Sequence, residues 1–121
     1  MLVFTCDSPM QATQQDIDHY ESILREGHAY LDQNEIARAR DCYERSLSFQ
    51  TDLYGREDVR SLNTIVFLAD VLFIEDDIAS AAALYKETQR GFLTSGMSTQ
   101  DPYMRRLQES IEMCLEINSI L

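Results

Sequence analysis

Gly27-His28-Ala29-Tyr30-Leu31, then a polar break, then Ile36-Ala37-Arg38-Ala39-Arg40-Asp41-Cys42-Tyr43 is the stretch that decides the fold. It returns forty-two residues later as Ala69-Asp70-Val71-Leu72-Phe73 and Ile78-Ala79-Ser80-Ala81-Ala82-Ala83-Leu84-Tyr85. Ile23 pairs with Ile65, Gly27 with Ala69, Tyr30 with Leu72, Ala39 with Ala81 and Tyr43 with Tyr85. Each pair keeps its size or polarity class. A half-length third copy in the same register pairs Ile65 with Leu107, Leu72 with Cys114 and Phe73 with Leu115. A fixed period near forty made of two helices predicts stacked hairpins, each burying its apolar face on the next.

Working outward, apolar residues fall three and four apart, the spacing of one helical face. Ile17, Tyr20, Ile23, Leu24, Tyr30 and Leu31 predict a helix over 16–32. Asp32-Gln33-Asn34 breaks it, with Asn34 expected to cap a second helix over 35–54 that Gly55 stops. A third helix over 58–75 is apolar around most of its circumference and so belongs in the middle of the stack. Asp76-Asp77 opens a fourth over 77–95, and Asp101-Pro102 opens a fifth over 102–119, with proline in the first turn where its missing N–H costs nothing. Residues 1–15 lack a helical stripe and read as an irregular arm, leaving 16–121 as one domain. The class is all-α.

Twenty-one acidic residues against ten basic ones give a net charge of -11, and Lys86 is the only lysine. Such a surface repels phosphate backbones and anionic lipid, which argues against nucleic-acid and membrane partners and for a neutral or basic protein. Met1-Leu-Val-Phe has neither the basic flank nor the apolar length of a signal peptide, so the expected setting is cytoplasmic. Cys6, Cys42 and Cys114 show no C-x-x-C pairing and read as reduced structural thiols. His19 and His28, nine residues apart on one helix, face opposite sides and cannot share a metal ion. No phosphate loop, nucleophile elbow or metal motif is present, so neither a cofactor nor a metal is expected.

Gly27, Tyr30, Ala39, Tyr43 and Ser46, with Leu68, Ala69, Leu72, Ala81, Tyr85 and Thr88 in the second copy, resemble the small–aromatic–small set of a tetratricopeptide motif. The forty-two-residue period and the linker Asp52-Leu53-Tyr54-Gly55-Arg56-Glu57-Asp58 resemble the kinesin light chain type, though the tryptophan and the His-Pro of that type are missing. The resemblance spans 17–121. It implies a right-handed α–α superhelix of about five antiparallel helices, two and a half repeats, acting as a scaffold that binds another protein. In that family the first helix of each repeat lines a concave groove.

Carried over, the groove offsets give Glu21, Leu24, Arg25 and His28 from the first copy and Asn63, Val66, Phe67, Asp70 and Phe73 from the second. The third copy gives Arg105, Gln108, Glu109 and Glu112. These suit a peptide or helix with apolar anchors, selected by Arg25, Asp70, Arg105 and Glu112. Two readings of Val66, Phe67 and Phe73 stand side by side: anchors for a partner, or packing within the core and on the N-terminal arm. The rival function is a small enzyme or accessory subunit with a pocket in the groove, for which His28 with Asp70 or Glu112 are the candidate groups. A second apolar stripe, Met113, Ile117, Ile120 and Leu121, is expected where the partner helix of a full third repeat would pack. A homodimer through it is the preferred covering; a partner's helix or the folding back of Leu2, Val3 and Phe4 are the others.

Overall fold

The computed structural model describes residues 12–120, and all five regular elements in it are helices. They are α1 (Gln14–Asp32), α2 (Ile36–Tyr54), α3 (Val59–Ile74), α4 (Ile78–Thr94) and α5 (Pro102–Ile120). The expected boundaries hold to within two residues. The stripe of α1 pointed to a start at residue 16, but a capping box begins it earlier: Thr13 Oγ1 accepts from Asp16 N, and the Asp16 carboxylate accepts from Thr13 N. Gln14 and Gln15 are therefore helical, and the rest of the expected arm, residues 1–11, lies outside the described residues with Leu2, Val3, Phe4 and Cys6.

Turn chemistry separates the helices. Asn34 does not cap α2; it sits at φ 61 and closes α1, while Glu35 N donates to Tyr30 O at 2.8 Å. Asp76, forty-two residues on, repeats this at φ 71, with Asp77 N donating to Leu72 O at 2.9 Å. Asn and Asp are the non-glycine residues that tolerate this left-handed backbone best, and so end the first helix of each hairpin. Asp77 then caps α4 by accepting from Ser80 N, and Asp58 and Asp101 cap α3 and α5 through equivalent bonds of 2.9 Å from Arg60 N and Tyr103 N.

Each helix packs antiparallel on its neighbours in sequence, and the helices two apart meet only through side chains. Gly27 sets the α1–α2 spacing: a Cβ built there would lie 2.9 Å from Tyr43 Cε1 and 3.1 Å from Cys42 Cβ. Ala69 and Ala81 occupy the corresponding places in the second hairpin, both fully buried. Tyr43 and Tyr85 are buried at equivalent positions, as the repeat requires. Between the hairpins, Thr64 Oγ1 donates to Gln50 Oε1 at 2.6 Å in the core, and Arg56 of the α2–α3 turn holds Glu87 of α4 at 3.0 Å.

The central helix α3 buries two faces. Ser61, Thr64, Leu68 and Val71 form one stripe, turned to α2; Leu62, Ile65 and Ala69 form another, turned to α4 where Leu62 meets Gly91. In α5 only one stripe is buried, Met104, Leu107, Ile111 and Cys114. These fall forty-three residues after Ser61, Thr64, Leu68 and Val71, and the caps Asp58 and Asp101 are forty-three apart as well. The third copy is thus one residue out of the expected register, and Thr64, not Ile65, corresponds to Leu107. One residue turns a helix by about 100°.

That rotation corrects the face assignments on α5. The counterparts of Leu62, Ile65 and Ala69 are Arg105, Gln108 and Glu112, all exposed, so the side on which a further helix would pack is largely polar. Met113 and Ile117 are not on it. They continue the side of α5 that carries Tyr103, Arg106 and Ser110. Met113 is 52% and Ile120 80% exposed, whereas Ile117 is half-buried against the core; the Leu121 side chain lies outside the described residues.

Candidate functional site: the shared face of α1, α3 and α5

The odd-numbered helices share one face. Leu24, Val66 and Phe67 lie half-buried on it, and Phe67 is its centre. The Phe67 ring stacks on Tyr43 at 5.6 Å between centroids and meets His28 in a T-shaped contact at 4.7 Å. On the α1 side of Phe67 a depression of about 270 Å3 is lined by Tyr20, Glu21, Leu24, Arg60 and Asn63, among others. On the α5 side another of about 280 Å3 is lined by Val66, Asp70, Tyr85, Tyr103, Arg106, Leu107 and Ser110. Together they make a trough across three helices.

The trough's polar groups follow the repeat. His28 Nδ1 is 2.6 Å from Tyr43 Oη in the first hairpin, and in the second the Tyr85 hydroxyl donates to Asp70 at the corresponding place. Each first-helix residue thus anchors the buried tyrosine of its own second helix. Burial pushes the Tyr43 hydroxyl up to about 12, with the negative charge of Asp70 adding to it, and burial likewise raises that of Tyr85. Asp70 presents its outer side to water, yet the walls of the trough crowd the rest of the carboxyl. That desolvation raises its pKa, opposed by the weaker effect of the bond from Tyr85. Among the described residues no arginine or lysine stands within 4.0 Å of it.

The arginines of the trough are held differently. Arg60 donates twice to its own cap Asp58, at 2.8 and 2.9 Å, and lies 3.5 Å over the Tyr54 ring. Arg106 lies 5.6 Å from the Tyr103 ring centroid, and Tyr103 donates to Asn63 Oδ1 at 3.2 Å across the α3–α5 gap. A smaller hollow of about 180 Å3 between α3 and α4, lined by Glu57, Leu62, Glu87, Arg90 and Gly91 among others, lies apart from the trough. Glu87 there is already engaged by Arg56.

Of the residues singled out in the sequence, Glu21, Leu24, Asn63, Val66, Phe67 and Asp70 line the trough, and His28 joins it through Phe67. Arg25 is exposed on α1 at the position that Phe67 takes in α3, and Phe73 is half-buried against the core. Arg105 and Gln108 are not with them. They line a separate depression with Gln89 and Leu93 of α4, where Gln89 Nε2 donates to Gln108 Oε1 at 2.7 Å. Glu112 joins that side by accepting from Gln108 at 3.0 Å. The α5 members of the trough are instead Tyr103, Arg106, Leu107 and Ser110. The forty-three-residue spacing of the Asp58 and Asp101 caps agrees with this placement, but a cap by itself does not set how the helix after it is rotated against its neighbours.

His28 bonds to Tyr43, not to Asp70, and Glu112 lies on the other flank of α5, so the three groups named for a catalytic pocket are not brought together. Among the described residues no three histidine, cysteine, aspartate or glutamate side chains converge as metal ligands, and no helix is long and apolar enough to cross a membrane. Cys42 and Cys114 are buried thiols whose pKa burial raises, which leaves them as packing groups. No family model, curated protein or solved structure matches the chain.

Proposed function

We propose that the chain is a tetratricopeptide-type interaction module that captures a segment of a partner protein along the concave face of α1, α3 and α5. The observation that carries this reading is the trough itself. Leu24, Val66, Phe67 and Tyr103 offer half-buried apolar surface in line across three helices, with hydrogen-bonding groups on both sides. An elongated open trough suits an extended peptide or a helix better than it suits a compact small molecule, which needs enclosure on most sides. The hairpin equivalence and the packing of each helix on its sequence neighbours support the repeat architecture on which the reading rests.

The test is capture from source lysate, identification of the retained protein and mapping of its bound segment. Phe67→Ala is expected to weaken that segment's binding at least tenfold, because it removes the centre of the trough, while Glu44→Ala, exposed on α2 and outside the trough, leaves it unchanged. Melting temperature controls for the packing of Phe67 on Tyr43. Equal binding by both variants refutes the concave face as the working surface.

A further inference from the structure

We propose that the depression between α3 and α5 is a subsite for a single lysine or arginine side chain of the bound segment, with Asp70 as its counter-ion. The proposal rests on the concave-face reading above and adds the chemistry of the partner.

The subsite is lined by eight side chains, among them Arg106 and Ser110 of α5. Val66 and Leu107 supply apolar walls, Phe67, Tyr85 and Tyr103 supply aromatic ones, and the Asp70 carboxylate stands among them. A long aliphatic stem with a cationic head fits such a site on both counts. The stem covers apolar surface, and the head meets an anion flanked by aromatic faces. A neutral apolar side chain would fill the walls but leave the carboxylate further desolvated and unpaired, which is costly. An acidic one would face Asp70 directly.

Asp70 is also a groove carboxylate with no cation paired to it among the described residues. The hydroxyl of Tyr85 donates to it and satisfies one acceptor site of a group that has about four. Arg60 in the same trough is committed to Asp58 and Tyr54, and Arg106 is drawn to Tyr103 and makes no ion pair with Asp70. Arg105 and Lys86 do not line the depression. The chain's own first eleven residues contain no lysine or arginine, so that segment has no side chain with which to fill the subsite. A net charge of -11 further favours approach of a basic segment.

The experiment uses the full chain and a phage-displayed library of random heptapeptides, selected in parallel on the unaltered chain, on Phe67→Ala and on Asp70→Asn. Asparagine keeps an acceptor for the Tyr85 hydroxyl, so the change removes charge with little loss of packing. Peptides selected on the unaltered chain are expected to share a lysine or arginine beside an apolar residue. They should lose binding to Phe67→Ala and bind Asp70→Asn about tenfold more weakly. Should Asp70→Asn fail to fold, the same charge is read from the peptide side: replacing the shared lysine by norleucine, or the shared arginine by citrulline, is expected to cost about tenfold on the unaltered protein. Peptides that need Phe67 but carry no shared cation, or that carry acidic residues, overturn the subsite and leave the concave face standing. Peptides indifferent to Phe67→Ala, or no selected peptides at all, overturn both.

Discussion

Gly27→Ala separates two opposing effects whose sizes the structure sets. Alanine in the interior of α1 gains roughly 1 kcal/mol over glycine from helix propensity. Against this, the new Cβ would stand 2.9 and 3.2 Å from Tyr43 Cε1 and Cδ1 and 3.1 Å from Cys42 Cβ. The tyrosine ring is wholly buried, and its hydroxyl is held 2.6 Å from His28 Nδ1, so it has no room to retreat. The Cys42 carbon is attached directly to the α2 backbone. Relief must come from moving α1 off α2, and overpacking of this kind costs about 1 to 3 kcal/mol. With a rigid ring and a near-backbone carbon as partners, a cost of about 2 kcal/mol outweighs the propensity gain. The net loss of about 1 kcal/mol corresponds to a fall of roughly 4 °C in melting temperature for a chain this long, since unfolding entropy is about 2.1 cal/mol/K per residue. Gly91→Ala is the comparison. Its Cβ meets the Cδ1 and Cδ2 ends of Leu62 at 2.7 and 2.9 Å, and a leucine tip yields by changing rotamer, so a smaller loss is expected. Melting followed by circular dichroism reads both. A Gly27→Ala chain that melts as high as the parent, or a Gly91→Ala chain that falls further, refutes the account of how the first hairpin is packed.

Three further outcomes can be checked on the same material. Asp58→Ala removes the cap of α3 and the partner of Arg60, and is expected to cost about 1 kcal/mol at neutral pH in chemical denaturation. The bond from Arg60 holds the Asp58 carboxyl below its usual range, so this contribution is present above the ordinary carboxylate pKa and fades as pH falls through the lowered one; a difference unchanged at low pH would refute it. Asp70 works in the opposite sense: its raised pKa means the folded chain binds the extra proton, so stability from this group is greatest in acid and is lost as pH rises through the folded value. Asp70→Asn should therefore melt higher than the parent at neutral pH and lose that advantage in acid, and a constant difference across pH would count against it. Light scattering at tens of micromolar is expected to give twice the chain mass if a second copy covers the exposed Met113 and Ile120 of α5, and Met113→Glu with Ile120→Glu to halve it; a monomer mass for the unaltered chain refutes that covering.

Helix number, helix boundaries and the equivalence of the first two hairpins were legible because they are written in local chemistry. Gly27 with Ala69 and Tyr43 with Tyr85 carry the period, and Gly55, Gly96 and Asp101-Pro102 punctuate it. Of the α1 and α3 residues that the family resemblance implied, Glu21, Leu24, Asn63, Val66, Phe67 and Asp70 line the trough and Arg25 and Phe73 do not, while Tyr20 and Arg60 line it without having been expected there. The cap of α1 was missed because an apolar stripe marks where a helix begins to pack, not where its first N–H groups find acceptors in Thr13 and Asp16.

The α5 side of the trough could not be read from the stripe alone. Apolar residues in α5 recur on more than one side, so registers of forty-two and forty-three both place leucine and isoleucine at core positions, yet they turn different side chains toward α3. The turn Ser95–Asp101 is longer than Gly55–Asp58, and only the docking of Met104, Leu107 and Ile111 on α4 selects between the two registers. Sequence by itself determined that this chain is a set of amphipathic helices in a repeating order, because propensity, periodicity and capping act within a few residues. The tertiary structure decided that Tyr103, Arg106 and Ser110 face Asp70 and Phe67 while Arg105, Gln108 and Glu112 do not, because the rotation of a helix about its own axis is set by what it packs against.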